Sequence, residues 1–477
     1  MAFLNGIDRT QFTYVTTCLD QIIDDNNPVR AVDAFVDTID MVRVGFVEYE
    51  GNNRGQRPYK RSELLKLHVY GYLNGVRSSR KLEIEAKRNI EVMWLINSLT
   101  PDHGTISMFM KDNKDAFRKV LKEFTLVLKG WGLIDGKLVA IDGTKLKAQN
   151  SKHNYITPSV LEKKLQYAEE QIDTYIRELE KADNGALNTA KGDIQSKIDT
   201  YIKMKDEYIK QKEYLQSKDL NQVCLTDKEA RGMKNNGKFE VCYNVQSAVD
   251  SKNNLVVDCE TVNDINDLNQ LSNMALNAKK LLRKRKIMVV ADTGYYNSEE
   301  IKKCIDKKVT LFVKKPKLNN KTGNDDFRKD KFIYRQNEDV YICPEGNSLT
   351  FTEYTTKNAT RYKRYKCTDC KTCPKKSLCT TAKEGRNIQR WIFEDLLDNL
   401  ADETSKNNDI YKRRRCIVEH PFGTIKRTLG YTYFLRRGLE SVNAEAASIF
   451  VAYNLKRLIN IIPVIELVKK FRQLAIS

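Results

Sequence analysis

Two short apolar runs in this chain end alike. Leu138-Val139-Ala140-Ile141 runs into Asp142-Gly143, and Ile287-Met288-Val289-Val290-Ala291 runs into Asp292-Thr293-Gly294. An uninterrupted β-prone run closed by turn residues is a strand, and one without polar alternation is a strand covered on both faces. Such strands lie between helices, so the chain is constrained to an α/β fold with a carboxylate at the exit of each of two strands. Between them, Phe239 to Gln246 alternates polar and apolar residues, a turn follows at Asp250 to Asn254, and Leu255 to Glu260 resumes as the second half of a hairpin. Asp264 to Asn266 is set to cap a helix carrying Leu268, Leu271, Met274, Ala275 and Leu281, and Thr310 to Val313 reads as a fifth strand.

Helical patterns surround this core. Ser62 opens an apolar-periodic segment that reaches Leu73, Asn74-Gly75 breaks it, and Ser78 or Ser79 caps the next helix through Leu82, Ile84 and Ala86. The joining stretch NGVRSS, with Arg77, Arg80 and Lys81, suits either a helix-turn-helix laid on DNA or an ordinary helical hairpin with a solvated basic turn. Leu161, Leu165, Ala168, Ile172, Ile176 and Leu179 form a seam spaced by three or four residues, and a second seam follows from Ile194 to Leu215, so 158–216 reads as an inserted antiparallel helical hairpin. The residues from about 409 to 473 are helical again. The expected organisation is a helical DNA-binding domain at 1–130 and an α/β domain at 131–477, with insertions at 158–216 and 317–400.

The charge balance names a partner. With 82 Lys and Arg against 63 Asp and Glu, the net charge is +19, and a surface of that sign gathers polyanions, nucleic acid first. No window reaches the roughly 18 uninterrupted apolar residues of a spanning helix, and the first ten residues lack a charged leader followed by an apolar run. No membrane partner and a cytoplasmic location are therefore expected.

Five of the eleven cysteines cluster: Cys343 in YICPEG, and Cys367, Cys370, Cys373 and Cys379 in CTDCKTCPKKSLC. Interlocking Cys-x2-Cys pairs in a long chain without secretion marks point to a structural Zn²⁺, for which four of the five thiolates suffice, with reduced structural cysteines or an iron–sulfur cluster as the alternatives. Which one is surplus stays open, between Cys373 and Cys367. Among the four histidines, His153 and His420 stand nearest the acidic motifs.

The stretch Tyr411 to Arg427 sets one carboxylate, Glu419, in a band of cations. With Asp142 and Asp292 it makes three oxygen donors suited to Mg²⁺ or Mn²⁺. A pair of such ions roughly 3.5–4 Å apart activates one oxygen of a phosphodiester reaction and stabilises the other. In order along the chain, Asp142 in IDGTK, Asp292 in ADTGYY and Glu419 in IVEHPFGTIKR resemble the catalytic acids of the DDE transposases of bacterial insertion sequences. The last stretch is similar to the Tyr-Arg-Glu-Lys signature of one large group, in which Arg precedes the Glu by four residues and Lys follows it by seven, as Arg415 and Lys426 do here. Lys412 holds the Tyr position, with Tyr411 one residue away.

The resemblance implies a ribonuclease H-like mixed-sheet core with a helical N-terminal domain, an inserted helical hairpin and a cysteine-rich insert. It implies metal-dependent hydrolysis at transposon ends followed by strand transfer into target DNA. Asp142, Asp292 and Glu419 would be the catalytic metal ligands, and Arg415, Lys426, Arg427, Lys145, Arg77 and Arg80 would bind DNA phosphate. The partners would be terminal inverted repeats and target DNA, held by a homodimer in a protein associated with the bacterial nucleoid. A nuclease without strand transfer, or a zinc-containing DNA-binding regulator without catalysis, is the alternative. Pro421, two residues after Glu419, is expected to end or kink a helix there.

Overall fold

A computed structural model describes residues 17–47, 57–151, 154–183, 188–317, 320, 322–357 and 360–476. His153 lies outside these residues. The core is a six-stranded sheet: β1 (Leu138–Lys147), β2 (Arg231–Asn235), β3 (Lys238–Asp250), β4 (Val256–Val262), β5 (Ile287–Ala291) and β6 (Val309–Phe312). β3 pairs antiparallel with β1 along one edge and with β2 and then β4 along the other. β5 lies parallel to β1, and β6 parallel to β5. The order β4-β3-β1-β5-β6, three antiparallel strands continued by two parallel ones, is the ribonuclease H-like arrangement. The expected hairpin is β3–β4, and the two apolar runs lie in the adjacent central strands β1 and β5. β5 ends before Asp292 as expected, but β1 does not end at Asp142 and runs on to Lys147, because β3 continues its ladder from Ser247 to Cys242.

Helices cover the sheet. From the N-terminal region, α1 (Arg61–Leu73), α2 (Ser79–Arg88), α3 (His103–Asp112) and α4 (Lys114–Gly130) lead into β1. The inserted hairpin is α5 (Pro158–Asp183) and α6 (Asn188–Ser217); α7 (Leu271–Leu281) joins β4 to β5. Near the C-terminus, α8 (Asn408–Gly423) lies against β1 and β5, and α9 (Leu439–Ile459) is buried along most of its length between α1, α4 and β4. Phe35, Leu65 and Phe124 from the first 130 residues share one buried cluster with Val139, Val289 and Phe450. The N-terminal helices therefore add a layer to the sheet core, because α9 offers them an apolar face on more than one side. Residues of the expected insert at 317–400 form a separate five-stranded antiparallel sheet with its own small core around Tyr341, Leu349 and Tyr365.

Two local expectations are corrected. The helix after β4 starts at Leu271, and residues 264–270 are a turn-rich loop that doubles back over the sheet, so Asp264 to Asn266 do not cap it. Pro421 neither ends nor interrupts α8 at once: the α-helix runs to Gly423, and a π-helical turn, Thr424–Thr428, follows it. A widened turn after a proline is one way the chain accommodates the missing N–H.

Candidate active site

Ile141 stands opposite Ala291 in the parallel pair of β1 and β5, so Asp142 and Asp292 are the next residue of each neighbouring strand. Asp142 Oδ1 accepts the N–H of Gly143 at 2.9 Å, and its Oδ2 accepts from Arg414 Nη1 at 3.1 Å. Burial pushes the Asp142 carboxyl up to about 6; Arg414 opposes the rise, and the negative charges of Asp292 and Asp267 add to it. Asp292 Oδ1 accepts the N–H of Gly294 at 2.6 Å and caps the short turn Thr293–Tyr295.

A third carboxylate at this place is Asp267, from the loop between β4 and α7. Its Oδ1 accepts from Asn244 Nδ2 at 2.8 Å and Gln246 Nε2 at 2.7 Å, both on β3, and Gln246 Oε1 in turn accepts a hydrogen bond from the hydroxyl of buried Tyr295. A methyl group on Gly143 would stand 2.5 Å from Gln246 Nε2 and 2.8 Å from Asp267 Oδ1, so the glycine lets this loop close onto β1. On local sequence alone Asp264 and Asp267 read as turn or cap residues. The signal that was present, an Asp in an Asn- and Asp-rich loop, is indistinguishable from an ordinary turn without knowing where the loop returns.

Glu419 is not brought to the aspartates. Its carboxylate is 62% exposed and pairs with Arg415 Nε at 2.7 Å. The helix explains this: Arg414, Val418 and Pro421 share the face of α8 turned to the sheet, while Glu419 is about 140° around the axis from Arg414. Lys426, on the π turn, is half-buried, its amine held below the usual lysine range by burial, and its Nζ donates to the Lys145 carbonyl of β1 at 3.4 Å. Lys145 Nζ donates to the Lys234 carbonyl at 3.0 Å, and Arg427 and Arg80 are exposed.

Arg77 differs from the expected DNA-facing role. Its side chain is 6% exposed, bonds Glu445 at 3.1 Å and the Tyr433 carbonyl at 2.6 Å, and lies over the rings of Tyr431 and Tyr433. α1 is itself almost wholly buried; in the turn after it Asn74 and Gly75 are exposed, while the Arg77 side chain packs inward.

Among the described residues no three His, Cys, Asp or Glu side chains close into a group that could hold a metal ion. The donor set of the aspartates nevertheless fits a hard divalent cation. Asp142, Asp292 and Asp267 offer oxygen alone, and among the described residues the half-buried Asp142 has Arg414 as its one ion-pair partner. In the insert, Cys343 Sγ accepts the N–H of Asn347 at 3.3 Å within a turn closed by Gly346 at φ +84°, and Cys370 Sγ accepts that of Arg386 at 3.4 Å. Burial pushes the Cys379 thiol up, with Cys370, Cys343 and Cys373 adding to the rise, and burial with a hydrogen bond to Cys370 pushes Cys367 up to about 11. Backbone N–H groups directed at sulfur are contacts of the kind that surround metal-bound cysteines, although among the described residues the thiols are not closed around a common point.

A family model described as a transposase DDE domain matches residues 342–459, a span that holds Glu419 and the cysteines but neither Asp142 nor Asp292. A second, a transposase domain of the type DUF772, matches residues 17–112. No curated protein matches the chain. Of solved structures, a piggyBac transposase synaptic complex with hairpin DNA is similar over 94% of this chain and 79% of that one, at 9% identity and a TM-score of 0.31, too loose a likeness to bear on the fold. Two stretches of the chain, near its two ends, are thus similar to transposase domains.

Proposed function

We propose that this protein hydrolyses phosphodiester bonds at transposon ends and joins the freed 3′-hydroxyl to target DNA, with Asp142, Asp292 and Glu419 as its catalytic acids. The observation that carries the reading is the pair of carboxylates on adjacent parallel strands, one of them half-buried and raised to about 6. Two close acids whose charge is costly to maintain are suited to a bound cation. Mg²⁺ or Mn²⁺ held there would supply Lewis-acid stabilisation of the attacking and leaving oxygens.

The chain's own residues supply the rest. Asp267, Asn244 and Gln246 fix the wall beside Asp142. Glu419 is assigned from the resemblance; it rides on the helix whose Arg414 already reaches Asp142, so a shift of α8 that exchanges the Arg414 contact would change its distance to the pair. Lys426, beside the Lys145 carbonyl, and the exposed Arg427 and Arg80 would hold phosphate, with Arg415 joining once its pairing to Glu419 opens. Inverted-repeat ends and target DNA would be held by a homodimer, since two ends react together.

The test is an assay with labelled end DNA, a target plasmid and Mg²⁺ or Mn²⁺. Cleavage and joining by the wild type, both lost in Asp142→Asn, support the reading. Cleavage without joining would make the protein a nuclease, and DNA binding with no cleavage would make it a regulator.

A further inference from the structure

A cleft of about 590 Å³ opens where α2, α3 and the start of α9 meet. Its wall carries Lys111, Arg436 and Arg437 together with the hydroxyl-bearing Ser78, Ser79 and Ser441, and no Asp or Glu lines it. The one carboxylate beneath it, Glu445, is fully buried and already committed to Arg77 and to the N–H groups of Leu435 and Arg436. Arg77 is thus neutralised and acts as a strut. The Arg436 guanidinium donates to the Ser107 carbonyl, and Lys111 and Arg437 are exposed with no ion-pair partner among the described residues. His68, deeper in, is held down to about 4 by burial and is neutral at pH 7.

Lys111 and Arg437, without an ion-pair partner among the described residues, stand with Arg436 around hydroxyl donors and make an anion site. The cleft also has a fixed relation to the proposed catalytic strand. Lys147, five residues past Asp142 on β1, accepts the N–H of Phe434 at 2.8 Å and donates to the Thr432 carbonyl at 3.1 Å, so the segment leading to Arg436 continues the edge of that strand. Five strand residues span about 17 Å, which is about five base-pair steps of duplex. The exposed Tyr433 ring lies on this route.

We infer that this cleft binds the sugar-phosphate backbone of duplex DNA at a point offset by at least several base pairs from the bond cut near Asp142. The inference rests on the transposase reading. Its contacts are electrostatic and blind to base sequence, so the cleft fixes the path of the DNA and leaves sequence selection to other surfaces.

The experiment measures binding of the full-length protein to a fluorescent duplex by anisotropy, without divalent cation, from about 50 to 200 mM salt. The double variant Lys111→Ala/Arg437→Ala is compared with Lys203→Ala/Lys210→Ala, which removes two exposed charges from the helical hairpin. The cleft variant is expected to weaken binding and to lower the slope of log K against log salt by about two, with the hairpin variant close to wild type. Both pairs are exposed, and matching melting temperatures check that folding is intact. A slope unchanged in the cleft variant, or lowered equally in both variants, overturns the inference while leaving the transposase reading standing. Displacement of the duplex by inorganic phosphate at constant ionic strength would make the cleft a small-anion site and overturn it too. No duplex binding by the wild type at any salt would remove the proposed function along with it.

Discussion

Arg414 and Asp142 are joined at 3.1 Å through Nη1 and Oδ2, which ties helix α8 to the middle of β1. Five residues further along α8, Glu419 is tied outward to Arg415 at 2.7 Å. The same helix therefore gives the site a cation in this structure and holds an acid in reserve on its other side.

The raised Asp142 carboxyl has a stability consequence whose sign follows from linkage. Its folded pKa of about 6 lies above the unfolded value near 3.9, so the folded state binds the proton more tightly. The stability this provides is whole below about pH 4 and is lost as pH rises through about 6, by up to about 3 kcal/mol. Asp142→Asn should lack this loss, so its melting temperature relative to wild type should rise between pH 4 and pH 8 in metal-free buffer. A constant difference across that range would show that Asp142 is not perturbed.

Mg²⁺ should stabilise the wild type, because a ligand that binds the folded state alone raises the melting temperature. The shift should disappear in Asp142→Asn and Asp292→Asn. Equal shifts in all three proteins would place the ion elsewhere.

The two candidate third acids can be separated kinetically. Glu419→Gln should lower cleavage on the order of 10³-fold, as expected for losing a ligand worth several kcal/mol in the transition state. Asp267→Asn keeps an oxygen for the Asn244 and Gln246 amides and should cost about 10–100-fold, as for a residue acting through the ligands. The reverse order of effects would make Asp267 the third ligand.

Gly143→Ala should damage the site without touching a charge. The added methyl meets Gln246 Nε2 and Asp267 Oδ1 at 2.5 and 2.8 Å, so the loop at 264–270 must move away from β1. We expect a loss of about 1–3 kcal/mol in denaturant unfolding, the usual cost of overpacking, with cleavage falling more than tenfold. Normal cleavage would show that the position of this loop is irrelevant to the chemistry.

Zinc in the insert is open to metal analysis of the purified protein. About one equivalent is expected, lost in Cys370→Ser, since closed thiolate sites bind zinc one to one. Well under one equivalent in the wild type would remove the proposal.

What the sequence determined by itself was local. The apolar runs ending at Asp142 and Asp292, the alternation of β3, the seams of the helical hairpin and the order of the three acidic motifs are written in neighbouring residues, because strand and helix periods repeat within a few positions. The tertiary structure decided what depends on residues far apart in the chain. Asp267 reaches the site only because its loop folds back on Gly143, and Arg77 leaves the surface only because Glu445, 368 residues later, needs its charge. Glu419 faces outward because the register of α8 on the sheet turns Arg414 inward, and Lys111 joins Arg437 in one cleft only because α9 threads between the N-terminal helices. A periodicity names the face a side chain occupies along its own element; the partner it meets there is set by long-range packing, which no local pattern encodes.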